Sequence, residues 1–373
     1  MKILIAPNPF KGSISAPEAA AGVRDGLIER LPDADIRLVP VSDGGDGLID
    51  ALTHKFGGKI FYRKVRGPLG KPVKARCAFL DSRTAVIEMA EASGIKYLKP
   101  SRYDCMSAST CGVGELIEFV LKKGVDKILI GLGGSASNDA GAGCAQGFGI
   151  KLLDRRGRNI ESGVNGLLNL HSVDFGRTRQ LLRRAKITGL VDVRNPLCGR
   201  YGSARIFGPQ KGASSEQVKI IEKALLHCAE VVKKELGKDI GRIKGGAAAG
   251  GLGAGLVAFF NARLEPGSEY VISALGLEQD IQWADVVITG EGKFDEMSFY
   301  GKAPAAVAKT AKKYGKPVIL VCAGTEITDV HRLKRAGIMK VIALEKIFKN
   351  RNLFLNTRLL IKKAFFTGKN DII

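Results

Sequence analysis

KILIAPNPFKGSISAPEAAAGVRDGLIERLPDADIRLVP, residues 2 to 40, decides the fold. Its opening apolar run reads as a buried strand, and Ser15 with Pro17 then opens an amphipathic helix. A second apolar run, within ADIRLVPVSDGG, ends in glycine. This is the grammar of a strand, a crossover helix and a parallel strand. The same device returns in GVDKILIGLGG, WADVVITGEG and KPVILVCAG, with the helical pattern KAPAAVAKTAKKYG between the last two. A parallel sheet covered by helices is the economical fold. Between these pieces lies different text, with polar and apolar residues alternating in hairpin fashion around LDSRT. The expected architecture is therefore α/β with two domains. A doubly wound parallel-sheet domain spans residues 1–66 plus 282–373, and a second α/β domain, residues 67–281, is inserted in it.

Composition is consistent with a globular chain: 373 residues, 45% of them hydrophobic, can bury two cores. No run approaches the roughly 18 apolar residues of a membrane span, and no secretory opening is recognisable, so the expected location is cytoplasmic. Seven cysteines without C-x-x-C spacing argue against a disulfide framework or zinc site. Cys77, Cys144, Cys198 and Cys322 read as small core residues. The formal charge of +21 raises nucleic acid as a partner. The densest basic pieces, RTRQLLRRAK and the closing LEKIFKNRNLFLNTRLLIKKAFFTGKN, match no nucleic-acid module. A basic surface that draws in anionic substrates is the plainer reading.

The stretch GLGGSASNDAGAG, residues 131–143, holds five glycines directly after an apolar strand. Glycine there lets backbone amides approach a ligand closely, and such amides at a helix start bind anions. A tight strand-to-helix turn would use the same residues, so the loop alone leaves both readings open. Similar loops recur at PNPFKGS, SDGGDG, DVRNPLCG and TGEGKFDEMSFYGK. In open α/β sheets ligands sit beyond the carboxyl ends of the strands, so one cleft is expected to collect these loops. Lysine, serine and amides bind anions, while carboxylates and asparagine hold Mg²⁺ or take a hydroxyl proton. That combination points to phosphoryl transfer. A hydride-transferring dehydrogenase lacks its glycine fingerprint here.

In their order along the chain, IAPNPFKGSISAPEAA, VPVSDGGDG, IGLGGSASNDAGAG, DVRNPLCGRYGSARIFGPQKGAS, GGAAAGGLGAG and ITGEGKFDEMSFYGKAP resemble the bacterial glycerate kinase family, from Lys2 to about residue 345. The resemblance implies ATP-dependent phosphorylation of D-glycerate to 2-phosphoglycerate, with 3-phosphoglycerate as the alternative product. A basic nucleic-acid-binding protein is the alternative of another class. The implied fold is a flavodoxin-like domain from both chain ends plus an inserted domain. The implied cofactors are ATP and Mg²⁺. The expected partners are glycerate and ATP, with a homodimer as the assembly allowed for; neither membrane nor nucleic acid is expected.

On this resemblance, Lys11 can reach a phosphate or the glycerate carboxylate. Asn8 stands where the family commonly has Asp. Asp43 and Asp46 suit Mg²⁺ or glycerate hydroxyls, or form only an Asp-Gly turn. Ser135, Ser137 and Asn138 cap a helix or bind phosphate, and Asp139, among small residues, must have a polar or ionic partner. Asp192, Asn195, Gln210 and Lys211 add an acid, two amides and a cation. Glu291, Asp295 and Lys302 resemble a metal and phosphate loop, with Glu291 and Asp295 as the Mg²⁺ ligands. Asp295 or Asp192 is the expected base. The run GGAAAGGLGAGL, residues 245–256, either packs helices closely or covers a nucleotide.

Overall fold

The computed structural model describes residues 1–348 and 352–367; residues 349–351 and 368–373 of the basic closing segment lie outside the described residues. In chain order the strands are β1 (Lys2–Ile5), β2 (Asp35–Leu38), β3 (Lys59–Arg66), β4 (Pro72–Phe79), β5 (Thr84–Glu88), β6 (Lys127–Leu132), β7 (Lys151–Leu153), β8 (Ser172–Asp174), β9 (Lys186–Val191), β10 (Arg263–Pro266), β11 (Val286–Phe294), β12 (Val318–Thr325) and β13 (Ile338–Ala343). The chain divides into two compact units, Met1–Gly57 with Gly267–Ile373, and Gly58–Pro266. The sequence places the junctions at 66/67 and 281/282, nine and fifteen residues later than the units change over. The difference has a local cause at each end. β3 pairs along its whole length with β4, from Lys59↔Phe79 to Arg66↔Pro72. Helices Gly267–Ala274 and Leu277–Trp283 pack on helix Ala303–Lys313 of the first unit.

The first unit is a five-stranded sheet ordered β13-β12-β11-β1-β2, parallel throughout. Helix Ala16–Ile28 begins where the sequence expects it. Ser15 accepts from the Glu18 amide while Glu18 reaches back to the Ser15 amide, a capping box that satisfies orphan donors at the helix start. Ile3, Ile5, Ile288, Ile319 and Val321 share a core with Val23, Leu27, Leu360, Ile361 and Phe365 of helices Ala16–Ile28 and Thr357–Thr367. Leu4, Val287 and Leu320 alternate with those strand residues and are equally buried, so the sheet is covered on both faces.

The two helices meet at glycines. A Cβ on Gly26 would lie 2.4 Å from the Lys362 carbonyl oxygen and 2.9 Å from Phe365 Cβ. Gly26→Ala is therefore expected to destabilise the first unit by about 1–3 kcal/mol through overpacking. Urea denaturation followed by circular dichroism measures it, and an unchanged midpoint would mean that the helices separate freely.

The second unit is a six-stranded sheet ordered β10-β9-β6-β5-β4-β3. β5, β6, β9 and β10 run parallel, while β4 and β3 are antiparallel additions; β4 and β5 form the hairpin expected around LDSRT. Glycine sets the helix spacing here too. A Cβ on Gly114 would lie 2.0 Å from the Cys144 carbonyl oxygen, and one on Gly147 2.0 Å from that of Cys111. Helices Cys111–Lys122 and Ala142–Phe148 thus touch backbone to backbone. All seven cysteines are free; Cys77, Cys144 and Cys322 are core residues as expected, whereas Cys198 is only half-buried. Among the described residues no helix is long and apolar enough to cross a membrane.

Candidate active site

The expected site residues gather in two clusters, one in each unit. In the first unit β2 lies on one side of β1 and β11, β12 and β13 on the other, so β1 and β11 form the point where the strand order reverses. Ligands of open α/β sheets bind beyond the strand ends at such a point. The Asn8 amide donates to the Gly290 carbonyl at 2.8 Å, and the Val41 amide to that of Pro7 at 2.9 Å. These bonds align the loops carrying Lys11 and Asp43 with β11, which carries Glu291.

Lys11 Nζ stands 3.9 Å from Asp43 Oδ2 and 4.0 Å from Asp46 Oδ2. The SDGGDG loop holds its own shape, because Ser42 Oγ accepts from the Gly44 amide and donates to the Asp46 carbonyl. Gly44 and Gly47, at φ +88° and +82°, occupy the left-handed region the turn needs. Lys302 Nζ lies 3.6 Å from both Glu291 Oε2 and Asp295 Oδ1, and donates to Ser298 Oγ at 3.2 Å. Asp295 also caps the short helix Glu296–Tyr300, accepting from the Ser298 amide and hydroxyl. A cavity of about 490 Å³ is lined by Phe10, Lys11, Glu291, Asp295, Lys302 and Phe354, among others.

Burial pushes the Glu291 carboxyl above its usual range, against the pull of Lys302. Glu291 is 5% exposed and Asp43 1%. Both oxygens of Asp43 and Oε1 of Glu291 have no hydrogen-bond partner within the chain. Among the described residues no three His, Cys, Asp or Glu side chains are grouped to hold a metal by themselves. Mg²⁺ asks for less, one or two carboxylates with substrate phosphates and water completing the shell. Glu291 and Asp295, both 3.6 Å from Lys302 Nζ, fit that donor set.

In the second unit, the glycine loop after β6 and the run 245–256 border a cavity of about 390 Å³. Gly133, Gly134, Ser135, Asp192, Gln210 and Lys211 line it. Lys211 is 3% exposed. Its Nζ donates to Ser135 Oγ at 2.8 Å, to the Ser137 carbonyl at 2.6 Å and to Asn138 Oδ1 at 3.5 Å. Burial pushes its pKa down to about 7. Sequence reasoning set Lys211 among the phosphate ligands; its ammonium instead ties the glycine loop to the Pro209–Lys211 turn. Asn138 Nδ2 donates to the Cys105 carbonyl at 3.2 Å.

Asp139 has the polar partners its surroundings demand. Its oxygens accept from the Thr110 amide and hydroxyl and from the amides of Gly141 and Gly143. Burial raises its pKa while those bonds lower it. Fully buried and so occupied, Asp139 shapes the loop. Asn195 is apart from the cavity lining, its Nδ2 donating to the Tyr201 carbonyl at 2.8 Å. Both readings of the run 245–256 have a basis. A Cβ on Gly255 would lie 2.2 Å from the Ala140 carbonyl oxygen, which is close packing, while Ala248, Ala249 and Gly250 line the cavity.

Sequence reasoning missed Thr110 and Ser298, and it noted Asn8 without giving it a task. Thr110 is 29 residues from Asp139 and carries no local signal. The spacing D-x-x-S at Asp295 and Ser298 is a legible helix-start signature. Asn8 is 1% exposed, and neither Oδ1 nor Nδ2 has a hydrogen-bond partner.

Comparison with known proteins gives a consistent picture. The family described as "Glycerate kinase family" matches residues 3–364. A protein of Escherichia coli (strain K12) named glycerate 2-kinase is 44% identical over 345 residues, covering 92% of this chain and 90% of its own. A glycerate kinase of Halalkalibacterium halodurans is 42% identical over 320 residues, covering 86% and 84%. A crystal structure from Salmonella typhimurium LT2 assigned as glycerate kinase 2 superposes with a TM-score of 0.82 at 39% identity, over 98% of this chain and 96% of that one.

Proposed function

The chain belongs to the glycerate kinase family, and we propose that it transfers the γ-phosphoryl group of ATP to the 2-hydroxyl of D-glycerate, giving 2-phosphoglycerate and ADP with Mg²⁺ as cofactor. It is a kinase of a small organic acid, and nucleotide use comes with that class. The observation that supports the finer reading is the first unit's cluster, where two cations and four carboxylates meet at the strand-order reversal.

Each residue has a task that its surroundings allow. Lys11 neutralises the glycerate carboxylate or a transferred phosphoryl oxygen, balanced by Asp43 and Asp46. Asp295 takes the proton of the attacking hydroxyl, and Lys302 holds it in place beside Glu291. Glu291 and Asp295 would hold Mg²⁺, which when bound would offset the negative charge on the phosphate oxygens. In the second unit the amides of Gly133 and Gly134 receive phosphate oxygens, with Gln210 and Asp192 beside them. Ser135 and Asn138 act through Lys211, which fixes the loop before the ligand arrives.

Purified protein incubated with ATP, Mg²⁺ and D-glycerate is expected to release ADP and yield 2-phosphoglycerate, identified by phosphorus NMR. A 3-phosphoglycerate product would overturn the assignment of the 2-hydroxyl. ATP left intact with glycerate would overturn the reading as a whole.

A further inference from the structure

β3 is the last strand of the second unit's sheet, and among the described residues no strand pairs with its outer edge. It reads KIFYRKVR, and only Val65 is buried. Ile60, Phe61 and Tyr62 stand in a row along it, 39%, 42% and 57% exposed. A long edge strand with exposed apolar side chains is a template for another strand. The turn after β3 shows which way its backbone groups face. The Gly67 amide donates to the Lys71 carbonyl at 2.8 Å, continuing the register that pairs Arg66 with Pro72. Alternation along an antiparallel pair then turns the amides and carbonyls of Ile60, Tyr62 and Lys64 away from β4. The Arg66 amide also faces away, and Glu115 Oε2 accepts from it at 2.8 Å, which closes that end of the edge.

Charge selects the occupant. Lys59, Arg63, Lys64 and Arg66 line the strand, and cations on an edge turn away strands that set like charge opposite them. An acidic segment would neutralise these cations and leave the apolar row uncovered. A second copy, antiparallel about a two-fold axis normal to the sheet, keeps each side chain on its own face, so the axis must pass through a residue. Centred on Lys59, Arg63, Lys64 or Arg66, it sets a cation opposite its own copy. Centred on Phe61 it sets Lys59 opposite Arg63, and centred on Val65 it sets Lys64 opposite Arg66. Centred on Ile60 it overlaps the strand only from Lys59 to Phe61. Centred on Tyr62, Lys64 faces Ile60, Arg63 faces Phe61 and Lys59 faces Val65, so no cation stands opposite a cation. A guanidinium sits well on an aromatic face, and Arg63 already lies 5.3 Å from the centroid of the Phe119 ring. We propose that β3 is a self-pairing edge: two copies of the chain join antiparallel about Tyr62, so that their six-stranded sheets become one. Ile60, Tyr62 and Lys64 supply about six backbone hydrogen bonds, two for each facing pair.

Analytical ultracentrifugation of the full chain over a concentration series tests this, with the melting temperature of each variant alongside. Wild type is expected to pass from monomer to dimer as concentration rises. The dimer should tighten as salt is added, because the cations of two like strands still repel beyond their facing partners. Ile60→Lys sets a cation opposite Lys64 of the second copy, twice over by symmetry, and should weaken the dimer by about 10-fold or more. Adding Lys64→Glu to that variant makes the facing charges opposite and should restore the dimer. Tyr62→Pro removes the central outward amide, which β4 does not use, and should leave a monomer that melts near the wild-type temperature, since an edge strand tolerates proline there. Ile60→Lys, at a part-exposed side chain, serves if the proline variant does not fold. A wild type that stays monomeric at every concentration would overturn the proposal. A dimer that all three variants leave unchanged would overturn it in favour of another interface. A monomer that binds poly-glutamate, and loses it with Tyr62→Pro, would overturn it in favour of an acidic occupant.

Discussion

Asp295→Asn is expected to lower turnover by about 10²- to 10⁴-fold, the usual contribution of a positioned general base, with little change in melting temperature. The substitution separates the carboxylate's two employments. As the cap of helix Glu296–Tyr300, Asp295 accepts from the Ser298 amide at 3.2 Å, and asparagine caps about as well as aspartate. The fold therefore loses little. Lys302, 3.6 Å from Asp295, keeps its other partner Glu291 at the same distance, so the lysine stays anchored. What disappears is the group able to take a proton. Steady-state kinetics with D-glycerate and ATP measure the loss. Near-normal turnover would remove Asp295 from the reaction and leave Asp192, the other carboxylate expected from sequence, as the base.

The second large effect concerns Lys211 and is one of stability. In the unfolded chain its amine has the ordinary pKa of 10.5, and in the fold burial brings it to about 7. Between those values the unfolded chain binds a proton that the folded chain does not, so stability rises with pH across that window. Below about pH 7 both states are protonated and the full cost of burying the charge remains. Compared with Lys211→Met, which cannot titrate, wild type is expected to gain about 2–3 kcal/mol between pH 7 and pH 9, at 1.4 kcal/mol per pH unit. Urea denaturation at the two pH values provides the comparison. A flat difference would mean that the amine keeps its proton in the fold, held there by the carboxylate of Asp139, whose charge opposes the effect of burial. The methionine variant also loses the ties to Ser135 and Ser137, so its nucleotide KM should rise.

Parallel sheets covered on both faces have strands that read as unbroken apolar runs, and KILI, VVIT and VILV are such runs. That is why the winding of the first unit is legible in the sequence. β3 is not legible in the same way. KIFYRKVR lies at a sheet edge with only Val65 buried, so its text looks like a linker, and the inferred junction slips past it. The acidic and glycine-bearing loops stand out in the sequence because their residue types have few other uses at strand ends. Their division of labour does not. Asp139 and Asp43 look alike in sequence, each in a glycine-rich loop after a strand. Four donors, from Thr110, Gly141 and Gly143, make Asp139 a scaffold, while Asp43 keeps two oxygens without hydrogen bonds. Only the path of a distant segment distinguishes them.

The interlocking of helix Ala16–Ile28 with helix Thr357–Thr367 bears on how the chain is made. Gly58–Pro266 is one uninterrupted segment and can mature on the ribosome as soon as it emerges. The first 57 residues must wait: β1 has β2 to pair with early, but its neighbour β11 and the closing helix arrive only with the last quarter of synthesis. Nascent chains stalled before residue 286 should therefore carry a protease-resistant inner fragment and an N-terminal arm that is still cut.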